Sequence, residues 1–161
     1  MEKLWAPWRM EYIRTSIIED PGRCIFCIDS NNDEEHHKLI VHRGKTAFVM
    51  MNKYPYNNGH LLIAPYRHIK DFNDLTDEEL LEMQKLIGGC INALKKTMHP
   101  QGFNIGMNLG RTAGAGVEDH VHYHIVPRWD GDTNFMPIFS GTKVISEALA
   151  QSCEKLKANF E

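Results

Sequence analysis

The stretch His120–Val126, with the sequence HVHYHIV, carries most of the information about the fold and chemistry of this chain. Histidine alternates with Val, Tyr and Ile, which is the two-residue period of a β-strand with two different faces. Side chains two residues apart on a strand point the same way, so His120, His122 and His124 should share one face. Three imidazoles in a row suit a core poorly. The interpretations left are an exposed polar face, a metal site or a reactive site.

A glycine-rich segment, Gly110–Gly116, comes just before this strand. Glycines let backbone N–H groups approach an anion closely and form a concave nest for phosphate. A neutral imidazole is a nucleophile at physiological pH, and its attack on phosphorus gives a phosphoramidate intermediate. We therefore predict phosphoryl chemistry, with His122 as the nucleophile and His124 as a hydrogen-bond donor to the phosphoryl oxygens.

Short apolar runs predict the remaining strands, and strands and helices are segregated along the chain. The runs are residues 45–51, 60–65 and 102–109, and the first two are joined by a turn-rich connection. This order favours an α+β fold, with an antiparallel sheet and helices packed on one face. No repeat or linker divides the chain, so residues 1–161 are expected to form a single domain with a C-terminal helical tail over about residues 142–161.

The longest predicted helix covers residues 76–99, where apolar residues recur at three- and four-residue spacing. Thr76 followed three residues later by Glu79 is the pattern of a capping box at a helix start. Two consecutive glycines, Gly88 and Gly89, lie inside the helix and lower its intrinsic stability by about 1 kcal/mol each relative to Ala. We expect them to allow close packing against a neighbouring element.

Composition and charge exclude several classes of protein. The chain has 161 residues, 42% of them apolar, which is typical of a folded globular protein and not of a disordered or collagen-like chain. Its net charge is −3, so no global positive field would attract nucleic acid or an anionic membrane. The longest apolar runs fall far short of the roughly 20 residues that span a bilayer. The start lacks a secretory-signal pattern, so we expect a cytoplasmic protein.

The histidine strand and its flanking motifs resemble the histidine triad (HIT) superfamily of nucleotidyl hydrolases and transferases. The matching elements are HVHYHIV, Asn52-x-x-Pro55, Gly59-His60-x-Leu62-Ile63-x-Pro65-x-x-His68 and Pro127-Arg128. They recur in order over residues 40–130. The flanking segments 4–13 and 127–137 are similar to the branch of bacterial and archaeal diadenosine tetraphosphate phosphorylases and hydrolases. The resemblance implies a HIT-like antiparallel sheet and a nucleotide or dinucleoside polyphosphate substrate.

The resemblance also implies roles for individual residues. His122 would become nucleotidylated during cleavage at the α-phosphate, His124 would contact the scissile phosphate, and His60 would be a fourth histidine lining the site. The implied substrate-binding residues are Asn52 at the ribose and Asn108, Gly114, Ala115, Gly116 and Val117 at the phosphates. A transferase branch replaces the third histidine with glutamine, so the presence of His124 favours hydrolysis or phosphorolysis. A nucleoside phosphoramidate hydrolase and a nucleotide-binding module with incidental turnover remain as alternatives.

A second candidate site begins with Cys24 and Cys27, a C-x-x-C in the N-terminal segment of about residues 1–40. Alone, this spacing fits a metal site, a redox pair or simple packing. The resemblance implies a structural zinc site completed by His68 and His120. Four protein ligands leave no open position on the metal, so we do not expect it to activate water. The resemblance further implies a homodimer.

The remaining candidates carry weaker patterns. The rings of Trp5, Trp8 and Trp129 are either nucleobase-stacking groups or packing residues. Arg128 either neutralises a phosphate or caps the end of the histidine strand. The residues interpreted as structural are Cys90 and Cys153 in the core and His36, His37, His42 and His99 on the surface.

Overall fold

One antiparallel sheet and two helices make up the described part of the chain, which in this computed structural model comprises residues 24–28, 38–132 and 147–160. The elements are β1 (Ile40–Arg43), β2 (Ala47–Met51), β3 (Leu61–Pro65), α1 (Asp77–Met98), β4 (Gly102–Met107), β5 (Tyr123–Arg128) and α2 (Leu149–Asn159). The strand order is β1-β2-β3-β5-β4, and every neighbouring pair is antiparallel. The predicted α+β class is confirmed, and β1 is a strand that the sequence pattern did not indicate.

Alternation along the central strands gives the sheet two apolar faces. One face packs against α1 and α2, and its buried residues include Ala47, Val49, Met51, Leu61, Ile63 and Ile125. The opposite face, which we call the site face, carries a smaller cluster made of Phe26, Ile40, Phe48, Met50, Leu62 and Ala64. Both helices therefore pack on the same side, as predicted, and they leave the other side for the functional groups.

Helix α1 begins and ends where the sequence predicts. The Thr76 side chain accepts a hydrogen bond from the Glu79 backbone, and the Glu79 carboxylate accepts one from the Thr76 backbone, so the capping box is present. Arg67 also pairs with the Glu79 carboxylate, at 2.6 Å. The helix ends at Met98, and His99 follows in a left-handed conformation. Its core-facing residues include Met83, Leu86, Ile87, Cys90 and Leu94.

The expected close packing at Gly88 is wrong. Gly88 is exposed, and a Cβ atom built on it would meet nothing within 4 Å. The helical period accounts for this, because Leu86, Ile87 and Cys90 already take the buried stripe and turn position 88 toward solvent.

The histidine strand starts later than predicted. β5 begins at Tyr123, so His120 and His122 lie just before it. The His122 ring donates from Nδ1 to the His120 carbonyl, and the Val121 N–H donates to Ile69, so these backbone groups do not extend the sheet ladder. The predicted alternation still holds, because Val121 packs in the helix-side core while His122 lies on the opposite side.

Some predictions concern residues outside the described ranges. They are the roles of Trp5 and Trp8, the surface positions of His36 and His37, the loop at 29–37, and the motif segments 4–13 and 133–137. Within the described ranges, Cys90 and Cys153 are fully buried and His99 is exposed, as predicted. His42 is half-buried and stacks on Phe160, so its surface assignment is wrong. No helix in the described ranges is long and apolar enough to cross a membrane.

Candidate active site

Three elements bring polar side chains together on the site face through the two-residue period of strands. Asn52 comes two residues after Met50 of β2, and His60 comes two residues before Leu62 of β3. Leu62 pairs directly with His124 of β5. Because Met50 and Leu62 both lie on the site face, the three polar residues fall on the same side of the sheet. The sequence prediction that His60 and His124 belong to one site agrees with this placement.

A chain of hydrogen bonds fixes which ring nitrogen carries the proton in His60 and His124. The Tyr56 backbone N–H donates to His60 Nδ1 at 3.0 Å, so this nitrogen must be an acceptor. The other ring nitrogen, Nε2, then carries the proton and donates to His124 Nδ1, also at 3.0 Å. In a neutral ring that accepts at Nδ1, the proton is on Nε2. A backbone group thus determines that His124 offers a donor from Nε2.

The Asn52 amide supports the same assignment. Its Oδ1 accepts from the Tyr54 N–H at 2.9 Å, which sets the orientation of the amide group. Its Nδ2 lies 3.3 Å from His60 Nδ1 and supplies a second donor to that nitrogen. Asn52 therefore orients His60, whereas its implied contact with a ribose stays a prediction.

His122 has the opposite tautomer, also set by the backbone. Its Nδ1 lies 2.8 Å from the His120 carbonyl oxygen, which can only accept, so Nδ1 holds the proton and Nε2 holds a lone pair. Burial lowers the pKa of His122, which is 6% exposed, so the ring is neutral at physiological pH. A neutral imidazole with an open Nε2 is the form that attacks phosphorus.

A narrow cleft on the site face adjoins His122 and His124. It is lined by Ile25, Phe26, Asn52, Leu62, Tyr56, Gly114, Gly116, Val117, His122 and His124, among others. The cleft therefore gathers most of the residues that the resemblance assigned to catalysis and substrate binding. Ile25, Phe26 and Leu62 give the cleft an apolar lining, and Gly114 and Gly116 of the glycine-rich turn also line it.

The glycine-rich turn adopts a conformation that suits glycine. Gly110 and Gly114 have φ angles of 81° and 93°, which other residues rarely adopt. Asn108 Nδ2 donates to the Gly114 carbonyl at 3.4 Å. Ala115 contributes to the turn itself, since its N–H donates to Gly110, and it does not line the cleft. Asn108 lines an adjoining cavity. Of the residues implied to contact the phosphates, Asn108 and Ala115 are therefore not in the lining of the cleft.

A second cavity, which we call the β4 cavity, opens beside His124 and has a volume of about 480 Å³. Its lining includes Asn57, Asn104, Gly106, Asn108, Val126, Arg128 and Asp132, together with Tyr56 and His124, which it shares with the cleft. His124 therefore stands at the boundary between two spaces on the same sheet face.

Cys24, Cys27, His68 and His120 form one cluster, with their potential ligand atoms all within 4.8 Å of one another. His120 Nε2 donates to the Pro65 carbonyl at 2.9 Å, which leaves a lone pair on Nδ1, the nitrogen nearest the two sulfurs. The Cys27 sulfur lies 3.2 Å from His68 Nδ1 and 4.0 Å from His120 Nδ1, and the Cys24 sulfur lies 3.3 Å from His120 Nδ1. A tetrahedral zinc site with ordinary bond lengths has S–N separations of about 3.6 Å. The residues therefore fit a four-coordinate metal, and the site can hold a zinc ion.

Protonation of this cluster is consistent with metal binding. Burial lowers the pKa of His120 to about 4, so its ring is neutral, as a ligand must be. Burial also raises the pKa of the Cys24 thiol to about 11. Without a metal this thiol keeps its proton, and binding of a cation would displace it.

Sequence reasoning missed two aromatic residues of the site. Phe26 lies between the two cysteines and packs on the His122 ring with centroids 4.5 Å apart. Tyr56 stacks on His60 at 4.9 Å. An apolar residue between two metal ligands is a signal that could have pointed to Phe26. Tyr56 lies in an irregular loop, where neither the period of a strand nor that of a helix predicts the direction of a side chain.

Trp129 and Arg128 have structural partners. The Trp129 indole N–H donates to the Met98 carbonyl at the end of α1, which favours the packing interpretation. Arg128 forms a two-pronged ion pair with Asp132, so it organises the end of the strand. Arg128 also lines the β4 cavity, so the interpretation that it contacts a phosphate stays a prediction.

The tautomer assignments can be tested by nitrogen NMR. Above the ordinary imidazole pKa, we expect His122 to carry its proton on Nδ1, and His60 and His124 to carry theirs on Nε2, because backbone groups dictate these forms. Long-range ¹H–¹⁵N correlation spectra of the three rings would report them, with exposed His99 as an unconstrained reference. A His122 ring protonated on Nε2 would contradict the assignment.

Comparison with known proteins identifies the family to which the sequence is similar. The HIT domain family matches residues 32–131. The AP-4-A phosphorylase of Mycobacterium tuberculosis is 40% identical over 156 residues, which cover 92% of this chain and 79% of that protein.

Solved structures agree on the fold. A Zn-bound histidine triad family protein from Mycobacterium smegmatis superposes with a TM-score of 0.67 at 22% identity, covering 85% of this chain and 92% of that one. A hypothetical histidine triad nucleotide-binding protein from Sulfolobus tokodaii gives 0.68 at 24% identity, with 85% and 91% covered. The histidine alternation, the sheet that carries it and these matches lead to one conclusion, that the chain belongs to the HIT domain family.

Proposed function

We propose that this protein is a nucleotide hydrolase or phosphorylase that cleaves dinucleoside polyphosphates of the diadenosine tetraphosphate type at the α-phosphate. The observation that carries the proposal is the tautomer of His122, which leaves a lone pair on Nε2 of a neutral ring that lines the cleft. The similarity to an AP-4-A phosphorylase supports this substrate class.

In the first step, His122 Nε2 attacks the α-phosphorus. The bond from that phosphorus to the bridging oxygen breaks, and the leaving nucleotide departs with the electron pair. The product on the enzyme is a nucleotidyl-His122, which splits one difficult displacement into two easier ones. The His124 Nε2–H donates to a phosphoryl or bridging oxygen and stabilises the charge that develops there. His60 holds His124 in the donor form.

In the second step, an acceptor oxygen attacks the same phosphorus and releases His122. Water as the acceptor gives a nucleoside monophosphate, and inorganic phosphate gives a nucleoside diphosphate. In the proposed binding mode, Asn52 lies at the ribose, and Asn108 and the 114–117 turn lie at the phosphates. The Gly114 and Ala115 N–H groups donate within the turn, so we assign those of Gly116 and Val117 as the donors to the anion.

We expect the intact mass of the wild type to increase by one adenylyl group after a brief acid-free quench with diadenosine tetraphosphate. His122→Ala should form no adduct and lose at least about 10³-fold in kcat, because the nucleophile is absent. His99→Ala, at the exposed end of α1, is the matched control and should behave as wild type.

Product analysis with and without phosphate separates the alternatives. ADP that forms only with added phosphate identifies a phosphorylase, while AMP and ATP in both buffers identify a hydrolase. Turnover of an adenosine phosphoramidate in preference to the dinucleotide would favour a phosphoramidate hydrolase. Equal turnover by wild type and His122→Ala would contradict the nucleophile assignment and favour a binding module.

We further infer a structural zinc at Cys24, Cys27, His68 and His120. When bound, the metal would supply a crosslink and no chemistry, since four protein ligands leave no position for water. His120 would then link the N-terminal segment to the residues that precede β5. We accordingly interpret residues 1–161 as one HIT domain that includes this segment. Two reduced thiols as ligands favour a cytoplasmic location.

Metal analysis tests the zinc proposal. The purified protein should contain one zinc per chain by plasma mass spectrometry, and Cys27→Ala or His68→Ala should lose most of it. Cys90→Ala removes a thiol from the core and should retain the metal. Chelation should lower the thermal midpoint of the wild type, because the metal binds only the folded chain. Zinc-free wild type, or equal zinc in all variants, would contradict the proposal.

We also infer a homodimer that pairs through β4. This strand is an edge of the sheet and presents Asn104, Ile105 and Gly106 to solvent, with Ile105 42% exposed. An exposed edge strand is a template for pairing with another chain.

Light scattering should give twice the chain mass of 18.5 kDa for the wild type. Ile105→Lys should give a monomer, because a charge on an edge opposes pairing. Leu81→Lys replaces another exposed apolar residue, on α1, and should leave the dimer intact. A monomeric wild type would contradict the inference, and dissociation only by the Leu81 change would move the interface to α1.

A further inference from the structure

The part of the β4 cavity beyond His124 and Asn108 has no role in the two steps described above, although the cavity adjoins the reacting centre. It shares His124 and Tyr56 with the narrow cleft. A substrate with its nucleoside in the cleft and its α-phosphate at His122 and His124 would continue into this cavity. Gly106 pairs with His124, and a Cβ atom built on it would meet nothing within 4 Å, so the floor beside His124 is open.

The far end of the cavity holds a rigid cation. Arg128 donates from Nε and Nη2 to the two Asp132 oxygens, at 2.6 and 2.9 Å, and from Nη1 to Asn104 Oδ1 at 2.7 Å. The Asp132 side chain is only 8% exposed, and it also accepts from Asn57 Nδ2 at 2.8 Å. Because the Asp132 carboxylate is buried and accepts these hydrogen bonds, it holds the guanidinium of Arg128 in one orientation.

This end of the cavity offers a ligand hydrogen-bond donors, because its acceptor groups are already bonded to Arg128. A guanidinium has five N–H groups, and the three contacts above leave one N–H on each terminal nitrogen within the described part of the chain. Because Oδ1 of Asn104 accepts from Arg128, its Nδ2 remains the donor side of that amide. A fixed fork of N–H groups matches the oxygens of a phosphate.

The position of Arg128 sets the size of the ligand. His124 and Arg128 lie on the same face of β5, four residues apart, which is about 13 Å along a strand. An amine or a single phosphate bonded to an α-phosphorus beside His124 would not extend as far as Arg128. A polyphosphate chain that ends in a second nucleoside would reach it.

We propose that Arg128, with Asn104 beside it, forms a subsite for the distal phosphates of the leaving nucleotide and selects polyphosphate substrates over those with short leaving groups. This inference rests on the proposed function, since it takes His122 and His124 as the place of the α-phosphate. Asp132 is a positioning residue in the subsite, acting through Arg128.

Binding to a protein that cannot turn over gives the most direct test. In a His122→Ala background, the dissociation constants of AMP and diadenosine tetraphosphate are measured by calorimetry with and without Arg128→Gln. We expect Arg128→Gln to weaken the tetraphosphate about 10-fold or more, as for the loss of a charged hydrogen bond, and to change AMP less than about twofold. Arg128→Lys keeps the positive charge but loses the planar guanidinium. Its dissociation constant for the tetraphosphate should lie between that of the His122→Ala background and that of the Arg128→Gln variant.

Controls separate a subsite from a structural effect. Arg43→Gln makes the same change at the opposite edge of the sheet and should alter neither constant. An equal loss of affinity for AMP would mean that Arg128 supports the cleft as a whole, and no loss for either ligand would mean that it contacts neither. Either result overturns the proposal.

Failure of the proposed function has a different signature. Wild-type protein without a His122-dependent adduct would contradict the reaction, while the ratio of the two dissociation constants would still report on the subsite. If the reaction stands, Arg128→Gln should lower kcat/KM for the tetraphosphate by a similar factor, chiefly through KM. It should leave cleavage of adenosine phosphoramidate within about twofold.

Discussion

The register between β3 and β5 is the constraint on which the site depends. Leu62 lies opposite His124, and the two-residue period then places His60 and His124 together on the face without helices. A slip of one residue would turn His124 into the helix-side core and Ile125 out of it. The register is strongly specified, because Leu61, Ile63 and Ile125 are fully buried against the helices. Packing on one side of the sheet thus determines the geometry of the chemistry on the other side.

Much of this arrangement could be predicted from periodicity alone. The alternation of histidine with apolar residues placed His124 and Ile125 on opposite faces, and the capping box placed the start of α1 at Thr76. The start of β5 could not be predicted this way. It depends on the contact between the His122 ring and the His120 carbonyl, which a pattern of residue types does not encode. Side chain to backbone hydrogen bonds of this kind compete with the sheet ladder.

The tautomers lay beyond the sequence for a related reason. The resemblance to the HIT superfamily implied that His60, His122 and His124 act together, but which nitrogen of each ring holds a proton depends on single backbone groups. The Tyr56 N–H and the His120 carbonyl have opposite polarity, and so they impose opposite tautomers on the rings they meet. The order of donors and acceptors along the main chain therefore assigns one histidine to donate and its neighbour to attack.

Phe26 connects the two candidate sites of the protein. It lies between the two cysteines of the metal cluster, and its ring packs on both His120 and His122. Coupling between two binding equilibria is reciprocal, so any free energy that a metal contributes by holding Phe26 in the cleft must also appear in the affinity for the metal when a nucleotide occupies the cleft. A single aromatic ring would then make metal retention depend on how much of the enzyme is occupied by nucleotide.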